Sequence, residues 1–183
     1  RLTRDGAPAP GNPFMGQAGA RPEIWSLGHR NPQGATLGVD GRLWTSEHGP
    51  QGGDEVNLPQ PGRNYGWPVI THGRTYGLGR TIGDGTERVD VPRALKIWLP
   101  RSIGPSGLTF YTGRLFPEWR DSVFMGALAA QELVRLTLKG DAVTAEERIG
   151  GFGRVRDVRE GGDGALYVLS ESLGTLYRLT PIE

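Results

Sequence analysis

The sequence predicts an all-β chain assembled from repeated antiparallel units of the kind that form propeller blades. Three observations carry that prediction. Glycine and proline are abundant, 30 and 14 in 183 residues, as expected of a chain that reverses direction often. Short runs of alternating polar and apolar residues recur, and they end at Asp-Gly, Gly-Gly or Lys-Gly turns. A unit also repeats: Val39-Asp40-Gly41-Arg42-Leu43-Trp44 and Gly162-Asp163-Gly164-Ala165-Leu166-Tyr167 share an Asp-Gly turn followed by x-Leu-aromatic, and Ser122-Val123-Phe124-Met125-Gly126 opens a similar strand midway between them. Such spacing fits blades of roughly 40 to 60 residues, so about three fit in this chain, whereas propellers close with about four to eight. An open arc leaves strand edges uncovered, and a missing N-terminal half or a second copy is expected to complete it.

Taken in order, residues 1 to 22 are rich in Pro, Gly and Ala and read as an extended lead-in. Strands are expected over 23–27, 35–39, 42–46 and 55–58 in the first part of the chain. Further strands are expected over 107–111, 122–128, 132–138, 155–158, 165–169 and 175–179. Residues 71–100 carry Gly77, Gly79, Gly83 and Gly85 among scattered charges and read as a long surface loop. The whole of 1–183 is therefore taken as one partial propeller.

Composition narrows the function classes. With 21 basic and 20 acidic residues the net charge is +1, so no long-range field gathers nucleic acid or an anionic membrane. No run approaches the roughly 18 apolar residues of a spanning helix, and no basic-then-apolar leader opens the chain. The absence of cysteine excludes disulfides, thiolate metal sites and cysteine nucleophiles. Neither a Gly-x-Ser-x-Gly elbow, a phosphate loop nor a dinucleotide fingerprint is present.

The polar chemistry is concentrated in two places. Gly28-His29-Arg30-Asn31-Pro32-Gln33-Gly34 offers a guanidinium and two amides on one loop, suited to a planar, charged ligand or, alternatively, to satisfying the loop's own backbone. Nearby, Gly49-Pro50 followed by Asp54 and Glu55 combines exposable carbonyls with carboxylates, which is oxygen chemistry for calcium or a solvated turn. In Gly153-Arg154-Val155-Arg156-Asp157-Val158 two arginines at i and i+2 point to one strand face. They can grip one carboxylate-bearing ligand, or simply lie exposed. His29, His48 and His72 lack metal-ligand spacing.

Read together with Glu47-His48-Gly49-Pro50, Asn64-Tyr65-Gly66-Trp67-Pro68 and Pro105-Ser106-Gly107-Leu108, these blocks resemble the soluble aldose and glucose dehydrogenases that depend on pyrroloquinoline quinone (PQQ). The ordered match spans nearly the whole chain. The resemblance implies the C-terminal half of a six-bladed propeller that uses PQQ and calcium to oxidise the C1 hydroxyl of an aldose to the lactone, passing electrons to an external acceptor. It also implies a periplasmic or secreted location.

By that resemblance Arg30, Asn31 and Gln33 lie beside cofactor and substrate, and Arg154 and Arg156 engage the cofactor carboxylates. The Gly49 and Pro50 carbonyls bind the calcium that holds PQQ. Asp54, Glu55 and the Tyr65 carbonyl form a second, structural calcium site. Two departures follow. Small residues at Leu128-Ala129-Ala130-Gln131 stand where the glucose dehydrogenase has a quinone-contacting lysine, and the family's general-base histidine is expected in an N-terminal half outside this chain. The competing reading is a ligand-binding propeller or a calcium-dependent, lactonase-like hydrolase; the paired Arg154 and Arg156 discriminate, since a metal hydrolase has no need for two forks aimed at a carboxylate-rich cofactor.

Overall fold

The computed structural model describes residues 1–182, and its regular structure is almost entirely β. Eleven strands form three antiparallel sheets. The first is β1 (Pro32–Leu37), β2 (Leu43–Glu47), β3 (Asp54–Asn57) and β4 (Lys96–Trp98). The second is β5 (Pro105–Phe110), β6 (Val123–Ala127), β7 (Glu132–Lys139) and β8 (Ala142–Ile149). The third has only β9 (Val155–Glu160), β10 (Leu166–Ser170) and β11 (Thr175–Leu179). Each sheet pairs its strands in chain order, the meander of a propeller blade.

The repeat identified in the sequence is one turn used twice. Between β1 and β2 the Arg42 N–H donates to Asp40 Oδ1 at 3.0 Å, and between β9 and β10 the Ala165 N–H donates to Asp163 Oδ1 at 3.1 Å. The following glycines, Gly41 and Gly164, take φ of 77° and 83°, a left-handed conformation that costs other residues energy.

Burial explains why the middle blade is so apolar. All five residues of β6 are buried, because this sheet is covered on both faces. Val123, Met125 and Ala127 join Trp44, Val56 and Trp98 of the first sheet in one core; Phe124, on the opposite face, packs with Val155, Val158 and Leu166 of the third. Where the inner strands approach, side chains shrink. A Cβ on Gly34 of β1 would lie 2.4 Å from the Ser106 carbonyl, and one on Gly107 of β5 would lie 1.7 Å from Asp157 Oδ1. Two buried hydroxyls tie the blades together: Ser46 Oγ donates to the Ser106 carbonyl at 2.6 Å, and Ser106 Oγ donates to the Val155 carbonyl at 2.7 Å.

Three expectations need correction. Residues 23–27 form no strand: Leu27 makes one isolated bridge to Asn64, because the partner segment bends at Gly62 and Gly66, both at positive φ. The stretch 71–100 ends in β4, whose Trp98 is buried in the first core. β8 was not expected at all. Its exposed, charge-rich sequence obscures the alternation, and only Val143 and Ile149 reach the cores.

Candidate cofactor and cation site

The two sequence clusters meet at one end of the inner strands. Glu47, the last residue of β2, is 4% exposed and organises the loop before β1. Its Oε2 accepts the Arg30 N–H at 2.9 Å and the Asn31 N–H at 3.3 Å; its Oε1 accepts Asn57 Nδ2 at 2.8 Å and lies 3.2 Å from His29 Nδ1. This spends a buried carboxylate on fixing backbone, which is affordable only because every contact is charge-assisted. His29 is held between Glu47 and the Tyr65 ring, stacked at 4.7 Å between centroids.

Held this way, Arg30 and Asn31 diverge. Arg30 lies over the Trp67 ring, and its Nη1 donates to the His48 and Gly49 carbonyls at 3.0 and 3.2 Å. Asn31 turns toward the other cluster, where its Oδ1 accepts Gln33 Nε2 at 2.9 Å and Gln33 Oε1 in turn accepts Arg156 Nη1 at 3.3 Å. Arg154, immediately before β9, and Arg156 both approach Glu171 Oε2, at 3.2 and 3.7 Å. Four of the expected cofactor residues, Asn31, Gln33, Arg154 and Arg156, thus form one connected polar surface. Arg30 serves the neighbouring carbonyl loop.

That loop is shaped to present backbone oxygens. A Cβ on Gly49 would lie 2.1 Å from the Gly52 carbonyl oxygen, and one on Gly73 would lie 2.2 Å from Pro50 Cδ, so only glycines allow the chain to fold this tightly. A cationic guanidinium already faces the His48 and Gly49 carbonyls, which marks the donor set as one that suits positive charge.

Asp54 and Glu55 are adjacent on β3 and therefore point to opposite faces. Asp54 is fully buried: Oδ1 accepts the Gly49 N–H at 2.9 Å, while Oδ2 accepts Ser102 Oγ and the Ile103 and Gly104 N–H groups at 2.5, 2.7 and 2.9 Å. It is a clasp between two loops, and the expected grouping of Asp54 with Glu55 on one ion is not what the strand brings together. Glu55 instead borders a cavity of about 20 Å³ with Glu47, Gly53, Tyr65 and Thr71, room for one water-sized occupant. Burial pushes its carboxyl up to about 7, against the pull of the Asn57 hydrogen bond and with the Glu47 charge adding to the rise. A cation in that cavity would offset the crowded negative charge of Glu47 and Glu55; among the described residues no three acidic or histidine side chains group closely enough to hold a metal, so backbone carbonyls would have to complete the oxygen set calcium takes.

The Glucose / Sorbosone dehydrogenase family model matches residues 1–178. The chain belongs to this family. It is 43% identical over 186 residues to the aldose sugar dehydrogenase YliI of Escherichia coli, an alignment covering 99% of this chain and 50% of that protein. Among solved structures, a glucose dehydrogenase superposes with a TM-score of 0.93 at 51% identity, covering all of this chain and 54% of that one. The PQQ-bound aldose sugar dehydrogenase of Streptomyces coelicolor superposes with a TM-score of 0.70 at 33% identity, over 93% of this chain and 44% of that one. The chain spans about half the length of the curated relatives it matches. Its three sheets are blades of the family's β-propeller. Among the described residues no helix is long and apolar enough to cross a membrane.

Glu47, Asp54 and Glu171 were not singled out for the roles they take in the structure. All three are ordinary acidic residues in loops or at strand ends, and only their burial or their distance to arginine across the fold distinguishes them.

Proposed function

We propose that this chain supplies the cofactor- and calcium-binding loops of a PQQ-dependent enzyme that oxidises aldose sugars to lactones. The observation that carries the reading is the convergence of Arg154 and Arg156 on a surface shared with Gln33 and Asn31. Two guanidinium forks there face a single protein carboxylate, which leaves positive charge for a ligand bearing several carboxylates. A calcium-dependent hydrolase has no need for two forks aimed at a carboxylate-rich cofactor.

When bound, the quinone supplies the acceptor for the hydrogen and electrons that leave the sugar C1. The chain's own contribution is to bind and orient. Arg154 and Arg156 would hold the cofactor carboxylates, Gln33 and Asn31 would fix the approach, and the Gly49 and Pro50 carbonyls would hold the calcium that binds with it. Glu55 and the Tyr65 carbonyl would hold a second, structural calcium. By the family resemblance the general-base histidine is expected outside this chain, and His29, committed to Glu47, Ser26 and Tyr65, does not replace it. The sugar, an external electron acceptor and a periplasmic or secreted location complete the proposal. So does a further segment or second copy that closes the ring.

Titrating PQQ at fixed calcium into the full-length protein tests it. An Arg154→Ala/Arg156→Ala protein should lose affinity by about 1.5 to 3 kcal/mol for each charged hydrogen bond removed. Wild-type affinity in that variant would overturn the assignment.

A further inference from the structure

The arginine pair is not empty-handed. Glu171, at the start of the β10–β11 turn, presents Oε2 to Arg154 Nε at 3.2 Å and to Arg156 Nη2 at 3.7 Å. Its position does not depend on those contacts. The Glu171 N–H donates to the Arg154 carbonyl at 2.8 Å, and the Arg154 N–H donates to Ser172 Oγ at 2.9 Å, so the turn is pinned to the arginine segment through backbone. Nor do the arginines depend on Glu171 alone for their orientation: Arg154 Nη1 donates to the Leu128 carbonyl at 3.2 Å, and Arg156 Nη1 donates to Gln33 Oε1 at 3.3 Å. Each guanidinium therefore keeps an anchor when the carboxylate is removed.

A tethered anion on a pair of cations that are already oriented is a competitor for any anionic ligand. We infer that Glu171 is a specificity-determining residue that raises the threshold for carboxylate ligands at the Arg154–Arg156 pair. A ligand with one carboxylate exchanges an equivalent contact and gains little. A ligand with several carboxylates engages both guanidinium groups, and Gln33 beside them, which one tethered side chain cannot do. This inference rests on the reading of the pair as the cofactor-carboxylate site. The side chains of all three charged residues are about half exposed, which sets the size of the effect to that of an exposed ion pair and makes it salt-sensitive.

The test is calorimetric titration of PQQ and of benzene-1,3,5-tricarboxylate into full-length wild-type and Glu171→Gln protein, at fixed calcium and two ionic strengths. Both ligands should bind the variant about two- to fivefold more tightly at low salt, with the gain shrinking as salt rises. Tricarboxylate binding that is weaker, unchanged or absent in both proteins overturns the inference, the weaker case making Glu171 a positioning residue. If the tricarboxylate tightens and PQQ does not, Glu171 acts as inferred and the PQQ reading is what fails.

Discussion

Replacing Asp54 with asparagine separates a structural clasp from a metal ligand. The wild-type carboxylate is fully buried and accepts four hydrogen bonds, from the Gly49, Ile103 and Gly104 N–H groups and from Ser102 Oγ. Asparagine is nearly isosteric but has one acceptor oxygen. If that oxygen takes the Oδ2 position, three bonds survive as neutral ones, each weaker than its charged counterpart by about 1 kcal/mol. The amide nitrogen then faces the Gly49 N–H, and a buried donor left without an acceptor costs a further ~1 to 3 kcal/mol. The expected loss is about 4 to 6 kcal/mol, a large part of a domain's usual stability. Urea denaturation of full-length protein, with and without calcium, measures it. The midpoint should fall by the same amount in both conditions, because the clasp needs no ion. A loss below about 1 kcal/mol, or one confined to the calcium-loaded protein, would refute this account of Asp54.

Two further outcomes are expected. Glu55 binds a proton more tightly when folded, about 7 against an ordinary 4.5, because it is buried, with Glu47 and Asp54 nearby adding to the rise and Asn57 and His29 opposing it. Its contribution to stability is therefore complete below pH 4.5 and lost as pH rises through 7, a swing of about 3 kcal/mol in calcium-free protein. Glu55→Gln should flatten that slope in melting experiments across pH 4 to 8, and an unchanged slope would mean that another group titrates. Gly107→Ala would place a Cβ 1.7 Å from Asp157 Oδ1 and 3.0 Å from Asp157 Cα, wedging β5 from β9. It should destabilise by about 1 to 3 kcal/mol or more, while Gly85→Ala, with nothing within 4 Å, should be neutral in the same thermal scan.

Much of this molecule was determined locally and so was legible in its residues. The Asp-Gly turns at Asp40 and Asp163 set the hairpins, since an aspartate side chain can cap its own turn and glycine accepts a left-handed φ. Alternation placed most strands, but it does not account for the arginine pair: Arg154 lies before β9 and Arg156 has no register partner at the bulge opposite Leu169 and Ser170, so their convergence on Glu171 is set by the fold. The tertiary structure decided what depends on distant neighbours. β8 is a strand because β7 offers it a ladder, not because Ala142–Ile149 alternates cleanly. Asp54 and Glu55 read alike as neighbouring acids, yet the pleat sends one into the clasp with Ser102, Ile103 and Gly104 and the other to the cavity beside Tyr65. Glu47 becomes a buried hub only because Arg30 and Asn31 of one loop and Asn57 of β3 arrive to bond it. A carboxylate's role follows from which donors surround it, and those donors are brought there by strand pairing and loop folding, at sequence separations no local pattern records.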